Sequence, residues 1–214
     1  MSILVEMSNL LQKGSAPKVK ELVAQALAEG ISPKEILEDG LLSGMAVVSE
    51  KFKKNEVFVP HVLVAARAMN AGVEIIRPHL VAAGVETKGK VVLGTVKGDL
   101  HDIGKNIVRM MLEAKGLEVV DLGVDVSPDA FVEKAKEINA DIICCSALLT
   151  TTMEEMKNVV DKTVEAGIRD NVKIMVGGAP ITQGFCDSIG ADYYTADAAT
   201  CADVAINAIT EKTA

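Results

Sequence analysis

The sequence predicts an α/β protein in two parts: an N-terminal four-helix bundle over residues 1–88, then a doubly wound sheet of five parallel strands over residues 89–214. Three observations lead there. Before Thr87 apolar residues recur at helical spacing and no convincing strand is present. A short polar linker, Glu86-Thr87-Lys88-Gly89-Lys90, interrupts the pattern. After it, short continuous apolar runs alternate with single helical stretches, as in a parallel sheet covered on both faces.

Taken in order, helices are expected at about 3–12 and 17–29. Ser32-Pro33-Lys34-Glu35 is a capping box with proline at the first helical position, so a third helix starts there. Leu37, Leu41, Gly44, Val48 and Phe52 lie on one stripe of it. Pro60 opens a fourth helix with Leu63, Ala66, Met69, Asn70, Val73 and Ile76 along its inner face, until Pro78 kinks or ends it. The strands are expected at 91–96, 118–122, 141–146, 173–177 and 192–195, with helices near 103–116, 128–139, 151–167, 181–188 and 198–211. Ser127 and Asp197 are expected caps. Right-handed crossovers put helices on both faces, which gives a flavodoxin-like sheet. Ligands in such sheets bind beyond the carboxyl ends of the strands, near the switch in strand order.

Composition narrows the function. A chain of 214 residues, 49% apolar and 24% charged, has globular composition. A net charge of −8 without a basic stripe argues against nucleic acid and anionic membranes. The N-terminus MSILVEMSNLL has no basic segment before its apolar residues, and no apolar stretch is expected to span a membrane, so a cytoplasmic protein is expected. Of the four cysteines, Cys144 and Cys145 are adjacent in a strand and no C-x-x-C occurs, which fits reduced core thiols.

The chemistry concentrates in GTVKGDLHDIGKN, residues 94–106, where a strand opens into a loop holding one of only three histidines. A phosphate loop fails on spacing: five residues separate Gly98 from Gly104, and Asn106 stands where Ser or Thr would hold magnesium. A zinc site fails too, because Asp99, His101 and Asp102 are too close in sequence to surround a tetrahedral ion by themselves. One histidine does suffice as an axial donor when a tetrapyrrole supplies the in-plane nitrogens. Asp99 would then bond the other ring nitrogen. The plainer reading of His101 is a loop histidine with a local hydrogen bond. Ser146-Ala147-Leu148, Thr150 and Gly177-Gly178-Ala179 fall at the same sheet edge and would leave a slot for a nucleotide-like tail. Ordinary strand-to-helix turns explain each of them singly.

Asp99-x-His101-x-x-Gly104, Ser146-x-Leu148 and Gly177-Gly178 together resemble the three-part signature of cobalamin-binding domains. The resemblance implies cobalamin bound base-off/His-on, with its benzimidazole displaced and its tail in the sheet. His101 would be the cobalt ligand, with Asp99 and Ser146 completing a hydrogen-bonded relay. Gly98, Leu100, Asp102, Ile103, Gly104, Leu148 and Ala198 would touch the cofactor, and Ser146, Thr150, Gly177 and Gly178 would line the tail slot.

The first 88 residues resemble the helical cap of methionine synthase and of small corrinoid proteins, through Gly44-Met45, Phe52, Phe58-Val59-Pro60 and Ala65-Ala66-Arg67-Ala68-Met69. Phe52 and Val59 would cover the upper cobalt face. The implied function is a corrinoid protein carrying a methyl group on cobalt, from a substrate:corrinoid methyltransferase to a second methyltransferase acting on a thiol or tetrahydrofolate-type acceptor. Methylamines, methanol, betaine and aryl methyl ethers are the candidate donors, a reductive activase is a further expected partner, and no independent substrate site is expected. The binding subunit of an adenosylcobalamin mutase would lack the helical cap, and a cobalamin-dependent sensor would need a DNA-reading module. A flavodoxin-like domain with another ligand would show no corrinoid absorbance after reconstitution.

Overall fold

The Ser2 hydroxyl caps α1 (Ile3–Gln12) by accepting the Val5 N–H, whereas α2 (Ala16–Ala28) starts without a side-chain cap and carries Pro17 in its first turn. Ser32 closes a capping box, its hydroxyl taking the Glu35 N–H at 3.2 Å while the Glu35 carboxylate takes the Ser32 N–H. The computed structural model describes residues 2–83 and 87–213. These fall into two units, Met1–Thr87 and Lys88–Ala214.

In the first unit α3 (Pro33–Glu35) runs into a π-helical segment, Ile36–Leu42, and on into α4 (Ser43–Lys53). A π turn is wider than an α turn, so it rotates every later side chain. Buried residues are accordingly Ile36, Gly40, Leu41, Leu42, Gly44, Met45, Val48 and Ser49, and the expected stripe members Leu37 and Phe52 are only half-buried. Two glycines admit α1 closely. A Cβ on Gly40 would lie 2.7 Å from the Met7 sulfur, and one on Gly44 would lie 3.0 Å from the Ser8 carbonyl.

Helix α5 (Val59–Ala82) corrects two expectations. Pro78 lies inside it and does not end it. Its buried residues are Val62, Ala65, Ala66, Ala68, Met69, Gly72 and Ile76, whereas Leu63 and Asn70, expected inward, are exposed. Small residues let neighbours approach: a Cβ on Gly72 would meet Leu41 at 2.9 Å and Val19 at 3.2 Å. Val59–Leu80 is long and apolar enough to cross a membrane by length and composition alone, a test that a core helix also passes, and its buried residues pack within the unit.

The second unit holds a five-stranded sheet in the order β2-β1-β3-β4-β5, every pair parallel. Its strands are β1 (Lys90–Thr95), β2 (Glu118–Asp121), β3 (Ile142–Ser146), β4 (Lys173–Gly177) and β5 (Tyr193–Tyr194). Between and after them come α6 (Ile103–Ala114), α7 (Pro128–Ile138), α8 (Glu154–Glu165), α9 (Gln183–Ile189) and α10 (Ala198–Thr213). This is the expected flavodoxin-like order, with its switch point between β1 and β3. One core face gathers Val92, Phe131, Ile143, Cys145, Met156 and Ile174. Gly94 carries no side chain there because a Cβ would come within 2.8 Å of the Phe131 ring. The four cysteines are free and buried, and burial pushes the Cys145 thiol up to about 12.

The expected linker is partly sheet. Glu86 lies outside the described residues, but the Lys88 N–H donates to the Gly116 carbonyl at 3.3 Å and Gly89 accepts the Glu118 N–H at 2.9 Å. The break between units therefore falls one residue before the expected one. Helix α8 begins at Glu154 rather than 151, because the preceding residues turn over the loop that follows β1.

Candidate functional site

The ends of β1 and β3 lie side by side, Thr95 in register with Ser146 and the Val96 N–H donating to the Ser146 carbonyl at 3.0 Å. Beyond them Gly98 turns the chain with φ +79°, a conformation open to glycine at little cost. Asp99 closes the turn, its N–H donating to the Val96 carbonyl. The buried Thr95 hydroxyl donates to the His101 carbonyl at 2.8 Å and so ties the histidine's backbone to the strand.

Asp99 is fully buried. Its Oδ1 takes the His101 N–H at 3.1 Å and faces the His101 Nδ1 at 2.6 Å. Its Oδ2 takes the Leu148 N–H at 2.7 Å, the Leu149 N–H at 3.2 Å and the Thr152 hydroxyl at 2.9 Å. Burial pushes this carboxyl up, but the Leu148 N–H, the His101 ring and N–H and the Leu149 N–H together outweigh it and hold it well below the usual carboxylate range. An ionised Asp99 can only accept, so Nδ1 donates to it, and Nε2 is the ring nitrogen left for another partner on a side chain that is 51% exposed. Among the described residues no protein group bonds Nε2.

Ser146 makes no side-chain bond to Asp99, so the expected relay member is replaced by Thr152, which is buried and donates to the carboxylate. The remaining expected residues divide into groups. Leu100 and Ile103 are apolar yet 71% and 75% exposed, and with the exposed Leu148 and Leu149 they form an apolar rim around His101. Asp102 is exposed and accepts from the Asn106 side chain at 3.1 Å, which braces the first turn of α6. Thr150 is exposed, and Ala198 is half-buried at the start of α10 behind the Asp197 cap. The Gly177 carbonyl takes the Ala147 N–H, and Gly178 has φ +135°. A Cβ on Gly178 would lie 1.8 Å from the Ala147 carbonyl, so only glycine lets the ends of β3 and β4 close up this way. Phe52 and Val59 belong to the first unit, half-buried at the end of α4 and the start of α5.

Three contributors were not among the expected residues: Thr152, Leu149 and Thr95. The one signal for Thr152 was the run Thr150-Thr151-Thr152, which does not say which hydroxyl turns inward.

The donor set suits a cofactor that brings its own metal. Among the described residues no group of three or more His, Cys, Asp or Glu could hold an ion, so the site offers a single imidazole nitrogen within an apolar rim. Room is present as well. Beyond its chain neighbours and its own helix backbone, no protein atom lies within 4 Å of where a Cβ on Gly104 would stand, and at Gly177 the nearest atom beyond the chain neighbours is the Thr195 carbonyl at 3.8 Å.

Comparison with known proteins points to the same class of cofactor. Residues 89–206 match the family model of a B12 binding domain, and residues 3–77 match a second B12 binding domain model. The chain is 53% identical to trimethylamine corrinoid protein 1 of Methanosarcina acetivorans, over 81% of this chain and 82% of that one. It is 48% identical to dimethylamine corrinoid protein 2 of the same organism, over 92% and 91% of the two chains. Its fold is similar to a chain of the methanol:cobalamin methyltransferase complex from Methanosarcina barkeri, with a TM-score of 0.89 and 32% identity over 97% of this chain and 80% of that one.

Proposed function

The chain belongs to the family of B12-binding corrinoid proteins, and from that premise we propose how its residues hold the corrinoid and serve methyl transfer. It is a corrinoid methyl carrier that works with a substrate-specific methyltransferase. When bound, the corrinoid supplies the cobalt on which the methyl group is carried.

His101 would hold the cobalt through Nε2 in place of the cofactor's own benzimidazole. Asp99 fixes the ring's tautomer and orientation by taking the Nδ1 proton's hydrogen bond, and Thr152 with the two backbone N–H groups fixes Asp99. Leu100, Ile103, Leu148 and Leu149 would keep water from the ring they border. Gly98, Gly104, Ser146, Thr150, Gly177, Gly178 and Ala198 would leave room for the tail, and Asp102 would steady the start of α6 beside it. Phe52 and Val59 would shield the bound corrinoid at rest. We assign a second methyltransferase, acting on a thiol or tetrahydrofolate-type acceptor, as the receiving partner, and a reductive activase to restore a cobalt centre lost to oxidation. All would meet in the cytoplasm.

The observation that carries this reading is the 2.6 Å Asp99–His101 pair, which leaves one imidazole nitrogen open at the ligand edge of the sheet. The test is to load the full chain with hydroxocobalamin, remove the excess, reduce the bound Co(III) to Co(I) with a chemical reductant such as titanium(III) citrate, and supply neighbouring methyltransferases of the same genome with methylamines, methanol, betaine and aryl methyl ethers. Retained corrinoid absorbance that changes on methylation with one donor class is the expected result. A chain that retains no corrinoid contradicts the reading.

A further inference from the structure

The connection between β2 and α7 has no regular structure, yet it is stitched to the strand and loop that carry the histidine. The Leu122 N–H donates to the Leu93 carbonyl at 2.8 Å, the Thr95 N–H to the Gly123 carbonyl at 3.0 Å, and the Val126 N–H to the Thr95 carbonyl at 3.0 Å. Asp125, within this stretch, has φ +54°, in the left-handed region where residues other than glycine are uncommon. Gly123, two residues earlier, also has a positive φ, and there the chain uses glycine. Position 125 keeps a side chain despite the backbone cost, and that side chain has a visible task. Its Oδ1 accepts the Gly98 N–H at 2.7 Å, while its own N–H donates to the Asp99 carbonyl at 3.0 Å. One residue thus grips the Gly98–Asp99 turn from both sides.

We propose that Asp125 is a positioning residue: its clasp on the Gly98–Asp99 turn sets where the Asp99 carboxylate stands, and through that carboxylate the direction of the His101 ring. Three links carry the effect, from Asp125 to the turn, from the turn to the buried carboxylate, and from the carboxylate to Nδ1. The bond to Gly98 is charge-assisted and short, which suits it to fix a direction. Only the consequence for the cofactor rests on His101 as the axial donor; the clasp itself does not.

Two substitutions separate the carboxylate's grip from the backbone. Asp125→Gly suits the left-handed φ and deletes the acceptor, whereas Asp125→Asn keeps both an acceptor oxygen and tolerance of that φ. In the full chain without cofactor, Asp125→Gly is expected to raise amide exchange at Gly98–His101 about tenfold, the loss of one charge-assisted bond, with Asp125→Asn close to wild type. After loading with cob(II)alamin, electron paramagnetic resonance should show the His101 nitrogen coupling sharp in wild type and Asp125→Asn, and broadened or partly lost in Asp125→Gly. Wild-type exchange in Asp125→Gly overturns the clasp. Unaltered nitrogen coupling in Asp125→Gly, beside a wild type that shows it, overturns its effect on His101. A wild type without nitrogen coupling would instead refute the axial reading, and the exchange rates would decide the clasp alone.

Discussion

Asp99 is a carboxylate sealed from water, which costs several kcal/mol unless its oxygens are fully bonded. Thr152→Val keeps the shape and removes one donor, so it should destabilise the protein by about 1–2 kcal/mol in urea unfolding. Ser146→Ala, which removes no bond to Asp99, should stay within ~0.5 kcal/mol. Acid gives an independent check. The folded carboxyl holds its proton more weakly than the unfolded one, so its contribution is complete above the ordinary aspartate value of about 3.9 and is lost as pH falls below it. Wild-type stability should therefore fall more steeply than that of Asp99→Asn as pH drops from about 4 to about 2; parallel curves would show that Asp99 is not held ionised by its bonds. The Asp-x-His pairing was legible in the sequence because two residues of separation within one loop bring the groups together regardless of the rest of the fold. Thr152 was not, because its inward turn depends on how the loop after β3 folds back over Asp99.

For whole helices and strands, legibility followed the hydrophobic period. The five strands appear where continuous apolar runs stood, and the capping box at Ser32 starts its helix as expected. The π segment was hidden, since hydrophobic spacing does not encode it, nor the close approach to α1 at Gly40 within it and at Gly44 just after it. The inner face of α5 was right at Ala66, Met69 and Ile76 but not at Leu63 and Asn70: Leu63 has the right hydrophobicity but the wrong angle, and the small residues Ala65 and Ala68 pack inward as well. Glycines give a test at this scale. Gly178→Ala should cost at least ~2–3 kcal/mol or prevent folding, because its Cβ would collide with the Ala147 carbonyl on a strained φ. Gly104→Ala, facing open space on a helix, should leave the melting temperature unchanged or raise it, since alanine is the better helix former. The same variant should weaken cobalamin binding in a titration if that space serves the cofactor; unchanged affinity would remove Gly104 from the site.

Taken as a whole, the molecule pairs a helical unit with a sheet unit that carries the histidine. A methyl carrier must shield a reactive cobalt at rest and still open to its partners, as a lid does. Phe52→Ala should leave cobalamin affinity near wild type while speeding photolysis of the methylated cofactor; equal photolysis rates in a folded variant would make Phe52 a packing residue only. The central claim is that His101, aimed by Asp99, holds the cobalt. Its most direct measurement is electron paramagnetic resonance of the cob(II)alamin-loaded chain, prepared with ordinary and with nitrogen-15 histidine. The account predicts that the label converts the axial-nitrogen triplet splitting into a doublet and that His101→Ala abolishes it, whereas a splitting indifferent to the label, or one that persists in His101→Ala, would contradict it.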